Sequence, residues 1–166
     1  MTNYKENGNN IELIQPDFDL DETLDCGQAF RWEKLESDYK CTYTGFFLDK
    51  PLTISHDGEK FIFHNTTKED FENIWIDYFD FEKDYCEIKT RLSSDETLKK
   101  ACEFAGGIRL LKQDSWECLC SFIISQNNNI PRIKTIISRL CEHYGHFPTA
   151  SEMAQETVES LGYLRS

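Results

Sequence analysis

The sequence predicts an α+β protein: an antiparallel β-sheet with attached helices, followed by a run of helices. Three observations carry this expectation. Between residues 11 and 63, short apolar–polar alternations are broken by turn residues, the pattern of hairpin-connected strands. From about residue 67 the apolar spacing changes to threes and fours, the helical period. After residue 105 the excess of acid stops, and apolar helical stripes follow, separated by cap and breaker residues.

The elements follow in order. Behind a polar tail, "FRW" places Phe30 and Trp32 on one face of a strand, and "CTYTG" does the same for Cys41 and Tyr43. In "SHDGEKF", Asp57-Gly58 suits a tight hairpin between "LTI" and "FIF". Strands of this kind build an antiparallel sheet with one covered face. Thr67, with Asp70 three residues on, opens a helix whose Phe71, Ile74, Trp75 and Tyr78 form a stripe. Helices are predicted at 81–92 and 94–105, the second opened by Ser94 and closed by Gly106-Gly107. Asp114 and Glu117 start the next helix, with Trp116, Leu119, Cys120 and Ile123 as its buried stripe and an end near Gln126. Pro131 fits the first turn of a further helix, with Ile133, Ile136, Ile137 and Leu140 inward and Gly145 as its stop. Thr149 and Glu152 form a capping box for a last helix, with Gly162 as its stop.

Composition narrows the function classes. With 39% hydrophobic and 13% aromatic residues, the 166-residue chain has material for a packed core, which excludes wholesale disorder. No apolar run approaches the ~18 residues of a membrane span, and the N-terminus has no signal-peptide core. The expectation is an intracellular protein, in cytoplasm or nucleoid if prokaryotic and in the nucleus if eukaryotic, monomeric and without a membrane partner. The seven cysteines read as thiols in a reducing compartment. Cys118 and Cys120 point in different directions on a helix, and no Cys-x-x-Cys or histidine cluster completes a site. No metal or cofactor is expected.

The net charge of −12 is unevenly spread. Residues 1–105 hold 12 Lys+Arg and 24 Asp+Glu, whereas residues 106–166 hold 6 of each. A phosphate backbone would therefore be met by the second part, with backbone amides and helix ends. There, "SQNNNIPRI" (125–133) joins two apolar helices through three asparagines and an arginine. A polar turn with a helix cap is the simpler reading of these residues. The alternative is base contact, since amides pair with base edges and arginine with base acceptors.

Two blocks, "CGQAFRW" (26–32) and "GIRLLKQDSWECLCSFIISQNNNIPRI" (107–133), closely resemble 8-oxoguanine DNA glycosylases of the helix-hairpin-helix superfamily. The resemblance spans nearly the whole chain and is strong in these blocks. It implies a β-rich N-terminal domain at 1–105, and at 106–166 the opening helices of the all-α helix-hairpin-helix glycosylase domain. It also implies base-excision DNA repair. The oxidised guanine is flipped out of the duplex, a lysine amine attacks the sugar C1′ to form a Schiff base, and β-elimination can nick the strand. The implied partner is double-stranded DNA carrying 8-oxoguanine opposite cytosine. By resemblance Asn127 fills the gap left by the flipped base, with Asn128 and Asn129 beside it at the DNA, and Arg132 contacts the orphaned cytosine.

Gly27 matches the glycine whose carbonyl accepts from the N7–H of 8-oxoguanine. Normal guanine has a bare acceptor at N7, so a fixed carbonyl there favours the lesion and repels the normal base. Phe30, Arg31 and Trp32 read as core or domain-interface residues.

The departures are specific. Where the family has a "GYRA"-like stretch, this chain reads "LGYLRS": Tyr163 matches, Leu164 occupies the arginine's place, and Arg165 is displaced by one. The hairpin, the lysine and its assisting aspartate are expected beyond residue 166, so the chain reads as an incomplete glycosylase/lyase with no catalytic residue of its own. Lys112 and Asp114 are not expected to replace them. A non-catalytic damaged-DNA-binding fragment is the alternative; a helix-turn-helix regulator is disfavoured because the helix after the asparagines has few base-reading side chains beyond Arg132 and Arg139.

Overall fold

The computed structural model describes residues 2–164 and divides into two compact units. The first comprises residues 1–28, 32–45 and 52–112; the second comprises 29–31, 46–51 and 113–166. The class is the expected α+β. Among the described residues no helix is long and apolar enough to cross a membrane.

Six strands form one sheet: β1 (Tyr4–Asn7), β2 (Asn10–Leu13), β3 (Trp32–Leu35), β4 (Cys41–Phe47), β5 (Lys50–His56) and β6 (Phe61–His64), in the order β1-β2-β6-β5-β4-β3. The Asp57 turn is as predicted. Its carboxylate accepts from the backbone N–H groups of Glu59 (2.9 Å) and Lys60 (2.9 Å), and Gly58 takes φ +113°. Antiparallel register sets Ile11 and Ile54 on either side of Phe63, so branched and aromatic side chains fill one face.

β1 lies in the stretch expected to be a polar tail. Its side chains carry no apolar alternation because three of its four residues are exposed, and a turn with Gly8 at φ +62° pairs it to β2.

The covered face packs on the helical run after β6. Thr67 caps it as expected, accepting from the Asp70 N–H. The run passes from α2 (Lys68–Asp70) through a π turn (Phe71–Trp75) into α3 (Ile76–Tyr78). A π turn holds more residues than an α turn, so the buried stripe drifts. Phe71, Trp75, Tyr78 and Phe79 are buried while Ile74 is half-exposed. Trp32 lies within this aromatic cluster, and its indole N–H donates to the Tyr78 hydroxyl at 2.8 Å. Phe81, expected to open a helix, is instead core against Phe18 and Phe79. Helix α4 (Tyr85–Leu92) therefore starts at an Asp84 cap. Helix α5 (Glu96–Phe104) is capped by Asp95 rather than Ser94.

Gly107 does more than stop a helix. A Cβ there would lie 2.5 Å from the Asp19 Cβ and 2.7 Å from the Asp19 backbone nitrogen. The glycine lets its segment approach α1 (Leu20–Leu24), a short helix that the sequence did not predict and that Asp19 caps. Two residues on, Arg109 is fully buried. Its guanidinium donates to the carbonyls of Asp80 (2.7 Å), Asp17 (3.1 Å) and Pro16 (3.3 Å) and lies over the Tyr85 ring.

The second unit is helical. Helix α6 (Ser115–Ser125) has the predicted Asp114 cap, yet its expected stripe is not buried: Leu119 is 50% and Ile123 61% exposed. Helix α7 (Ile130–Tyr144) buries Ile133, Ile137 and Leu140 and ends at Gly145, φ +76°, as predicted. The capping box of Thr149 and Glu152 is present, but α8 (Ala150–Met153) is short, and Gly162 falls inside a 3-10 turn (Ser160–Leu164) rather than ending a helix. Arg31 pairs with Glu117 at 2.9 Å and covers the Phe46 ring.

Two predictions follow from these buried charges. Arg109→Met strands three carbonyls and should destabilise the fold by on the order of 3 kcal/mol in urea melts followed by tryptophan fluorescence. Arg109→Lys should remain well below wild type, because one ammonium cannot reproduce the planar fork; full recovery by lysine would show that charge alone suffices. Burial raises the Glu117 carboxyl above the usual range more than Arg31 lowers it. A carboxyl raised in the folded state contributes stability that is complete below its unfolded value, about 4.3, and is lost as the pH climbs through the folded one. The stability deficit of Glu117→Gln should therefore narrow as the pH rises from about 4 towards neutrality; a widening deficit would mean that the Arg31 attraction dominates.

Candidate nucleic-acid interface

The first predicted site residue, Gly27, lies just after α1 in the first unit. It takes φ +84°, a left-handed backbone that favours glycine. The chain around it is tied down. Thr23, fully buried, donates its hydroxyl to the Gly107 carbonyl (3.1 Å) and accepts from the Arg109 N–H (3.2 Å). The Glu22 carboxylate accepts from the Gly107 N–H at 2.6 Å. Gln28 completes the attachment: its amide nitrogen donates to the carbonyls of Thr23 (2.9 Å) and Arg109 (2.8 Å), and its amide oxygen accepts from the Leu111 N–H (3.1 Å).

The asparagine connection lies in the second unit, and its three amides have three different jobs. Asn127 takes φ +60°, a conformation that asparagine tolerates better than most residues. Asn128 closes the end of α6: its backbone N–H donates to the Ser125 carbonyl (3.3 Å), and its side-chain nitrogen to those of Ile124 (2.7 Å) and Gln126 (3.4 Å). Asn129 opens α7, accepting from the Arg132 N–H at 3.0 Å. The turn and its helix ends thus use all three asparagines, two on helix ends and one at the left-handed bend. Asn127 alone of the three makes no side-chain hydrogen bond among the described residues, and it is exposed.

Arg132 is half-buried rather than fully exposed, and donates to the Leu164 carbonyl at 3.0 Å. This joins the start of α7 to the 3-10 turn whose backbone includes Tyr163. Arg165 lies outside the described residues. Asn127, Asn128, Asn129 and Arg132 thus share one connection, with the Tyr163 turn tied to it; Gly27 belongs to the other unit.

Lys112 and Asp114 have structural roles. The Lys112 ammonium lies 2.6 Å from Asp77 and 3.1 Å from Asp80. Hydrogen bonds to those carboxylates, Asp77 first, hold its pKa above the usual lysine value. Asp114 accepts from the N–H groups of Trp116 and Glu117. No group of three or more His, Cys, Asp or Glu among the described residues could hold a metal ion. Sequence reasoning missed Gln28, Thr23 and Arg109. The available signals were a glutamine beside the motif glycine and a lone arginine inside an apolar run.

Comparison with known proteins covers nearly the whole chain. The model of the 8-oxoguanine DNA glycosylase N-terminal domain matches residues 10–119. The N-glycosylase/DNA lyase OGG1 of Arabidopsis thaliana is 28% identical over 165 residues, covering 91% of this chain and 45% of its own length. Among solved structures, MBOgg1 in complex with a low-affinity DNA ligand aligns at TM-score 0.91 and 40% identity, over 99% of this chain and 60% of that one. The Clostridium acetobutylicum 8-oxoguanine glycosylase/lyase, in complex with double-stranded DNA containing cytosine opposite 8-oxoG, aligns at 0.85 and 35%, over 99% of this chain and 59% of that one. The chain thus spans about half to three-fifths of the length of these relatives. With the N-terminal domain matched from residue 10 to 119, it belongs to the 8-oxoguanine DNA glycosylase family.

Proposed function

We propose that this chain provides the lesion-reading and duplex-probing parts of a base-excision glycosylase/lyase that removes 8-oxoguanine from opposite cytosine. On this reading residues 1–105 form the N-terminal domain, and 106–166 are the opening helices of the helix-hairpin-helix domain. The observation that carries it is the 35% identity, over 99% of the chain, to a Clostridium enzyme solved on a duplex with that pair. The local chemistry supports it. Gly27 offers a backbone carbonyl on a pinned loop. Asn127 offers an exposed amide at a left-handed bend, and Arg132 offers donors suited to the O2 and N3 acceptors of an orphaned cytosine. Asn128 and Asn129 hold that bend, and Tyr163 and Arg165 are assigned to the duplex beside it.

The cleaving amine is not Lys112 on this reading. A nucleophilic lysine needs a lowered pKa, and the two carboxylates beside Lys112 act in the opposite direction. Borohydride reduction of the 166-residue chain with an 8-oxoguanine:C duplex should trap no adduct through Lys112. An adduct abolished by Lys112→Ala would overturn this assignment.

The gap-side roles are tested by binding to duplexes with 8-oxoguanine opposite each of the four bases. Asn127→Ala should weaken all four alike. Arg132→Ala should cost ~1–3 kcal/mol of preference for cytosine and flatten the opposing-base profile. Equal weakening by Arg132→Ala on all four would reduce Arg132 to a phosphate or positioning contact.

A further inference from the structure

We infer that Gln28 is a positioning residue for lesion discrimination: its side chain fixes the peptide plane that carries the Gly27 carbonyl. The inference rests on the lesion-reading role of Gly27 proposed above. A carbonyl at residue 27 is coplanar with the nitrogen and Cα of residue 28, because the peptide bond between them does not rotate freely. Whatever anchors the Gln28 Cα therefore helps to aim the Gly27 oxygen. Gly27 cannot aim it unaided, since glycine is the least restricted residue of the chain.

The anchor is extensive. Both N–H groups of the Gln28 amide are used, on Thr23 and Arg109 carbonyls, and its oxygen is used on the Leu111 N–H. Its partners come from both sides of the loop: Thr23 is five residues before Gln28, Arg109 and Leu111 more than eighty after. Each partner is itself buried. An amide so committed to backbone has little left for a base, which favours aiming the carbonyl over touching the lesion. Discrimination by one acceptor needs that acceptor held to within roughly 0.5 Å, so slack here reaches selectivity directly.

The test measures binding of the chain to duplexes that differ only in 8-oxoguanine or guanine opposite cytosine. Gln28→Met keeps size and removes the hydrogen bonds to Thr23, Arg109 and Leu111. It should lower the lesion-to-guanine affinity ratio by on the order of tenfold while leaving the opposing-base profile unchanged. Where Gln28→Met does not fold, Gln28→Glu gives the same readout, because it retains the acceptor for Leu111 and replaces the two donations by repulsion. A merely structural role would lower the melting temperature, or both affinities together, and leave the ratio alone. Gly27→Ala separates the two ideas. A ratio lost in Gly27→Ala but intact in both Gln28 variants overturns the positioning inference alone. A wild-type chain without lesion preference, or a ratio unmoved by Gly27→Ala, overturns the role of Gly27 and the inference with it.

Discussion

The buried guanidinium of Arg109 is the constraint on which the first unit depends. A charge taken out of water must be given dipoles in return. Here it receives three carbonyls from two distant stretches of chain, together with the face of Tyr85. Burial pushes its pKa down from the usual value, yet an arginine has far to fall before it loses its proton. The fork consequently staples residues 16–17 to residue 80 and holds its own segment between them. That segment supplies Gly107 to α1 and Leu111 to Gln28, so the geometry of the Gly27 loop is inherited from a side chain that touches no part of it.

On the proposed reading, the asparagine connection lets one residue type serve structure and recognition together. An amide competes with backbone groups, which makes asparagine poor inside a helix and good at its ends. Two of the three spend that ability on α6 and α7, fixing the gap between the helices to a few residues. The third takes the left-handed bend between the two caps, with its side chain exposed. Rigid caps are what make an exposed amide useful as a probe, because an amide on a flexible loop would lose entropy on every contact.

How much of this was legible depended on distance along the chain. Thr67, Asp114 and the pair Thr149 and Glu152 were readable because a cap is a contract between residues two or three apart, and Gly145 because a left-handed helix end favours glycine. The edge strand β1 was not, since an exposed edge carries no apolar alternation, and neither was α1, too short to show a period. The stripe of α6 was read correctly as apolar and wrongly as buried, because periodicity reports a face and not what lies against it. At the candidate site, the asparagine triple and Arg132 stood out by composition, though a polar turn with a cap was the simpler reading of them. Gln28 did not, since its key partners, Arg109 and Leu111, are contacts that no local pattern encodes.

The distribution of charge fits the division of roles proposed for the chain. What distinguishes 8-oxoguanine at N7 is a donor, so its reader must be an acceptor. A carboxylate would accept more strongly, but it would also accept from other donors and repel the phosphates that accompany the base. A backbone carbonyl has no net charge, so its selectivity comes from placement rather than strength. Such a reader can belong to a segment carrying an excess of twelve acids without help from a cation. The orphaned cytosine poses the opposite demand, since its open edge presents acceptors and calls for donors. The donor proposed for it, the Arg132 guanidinium, lies in residues 106–166, where the formal charges balance. On the proposed roles, polarity is matched to the base on each side, and the hydrogen bonds that converge on the residues around Gly27 supply the precision a neutral reader requires.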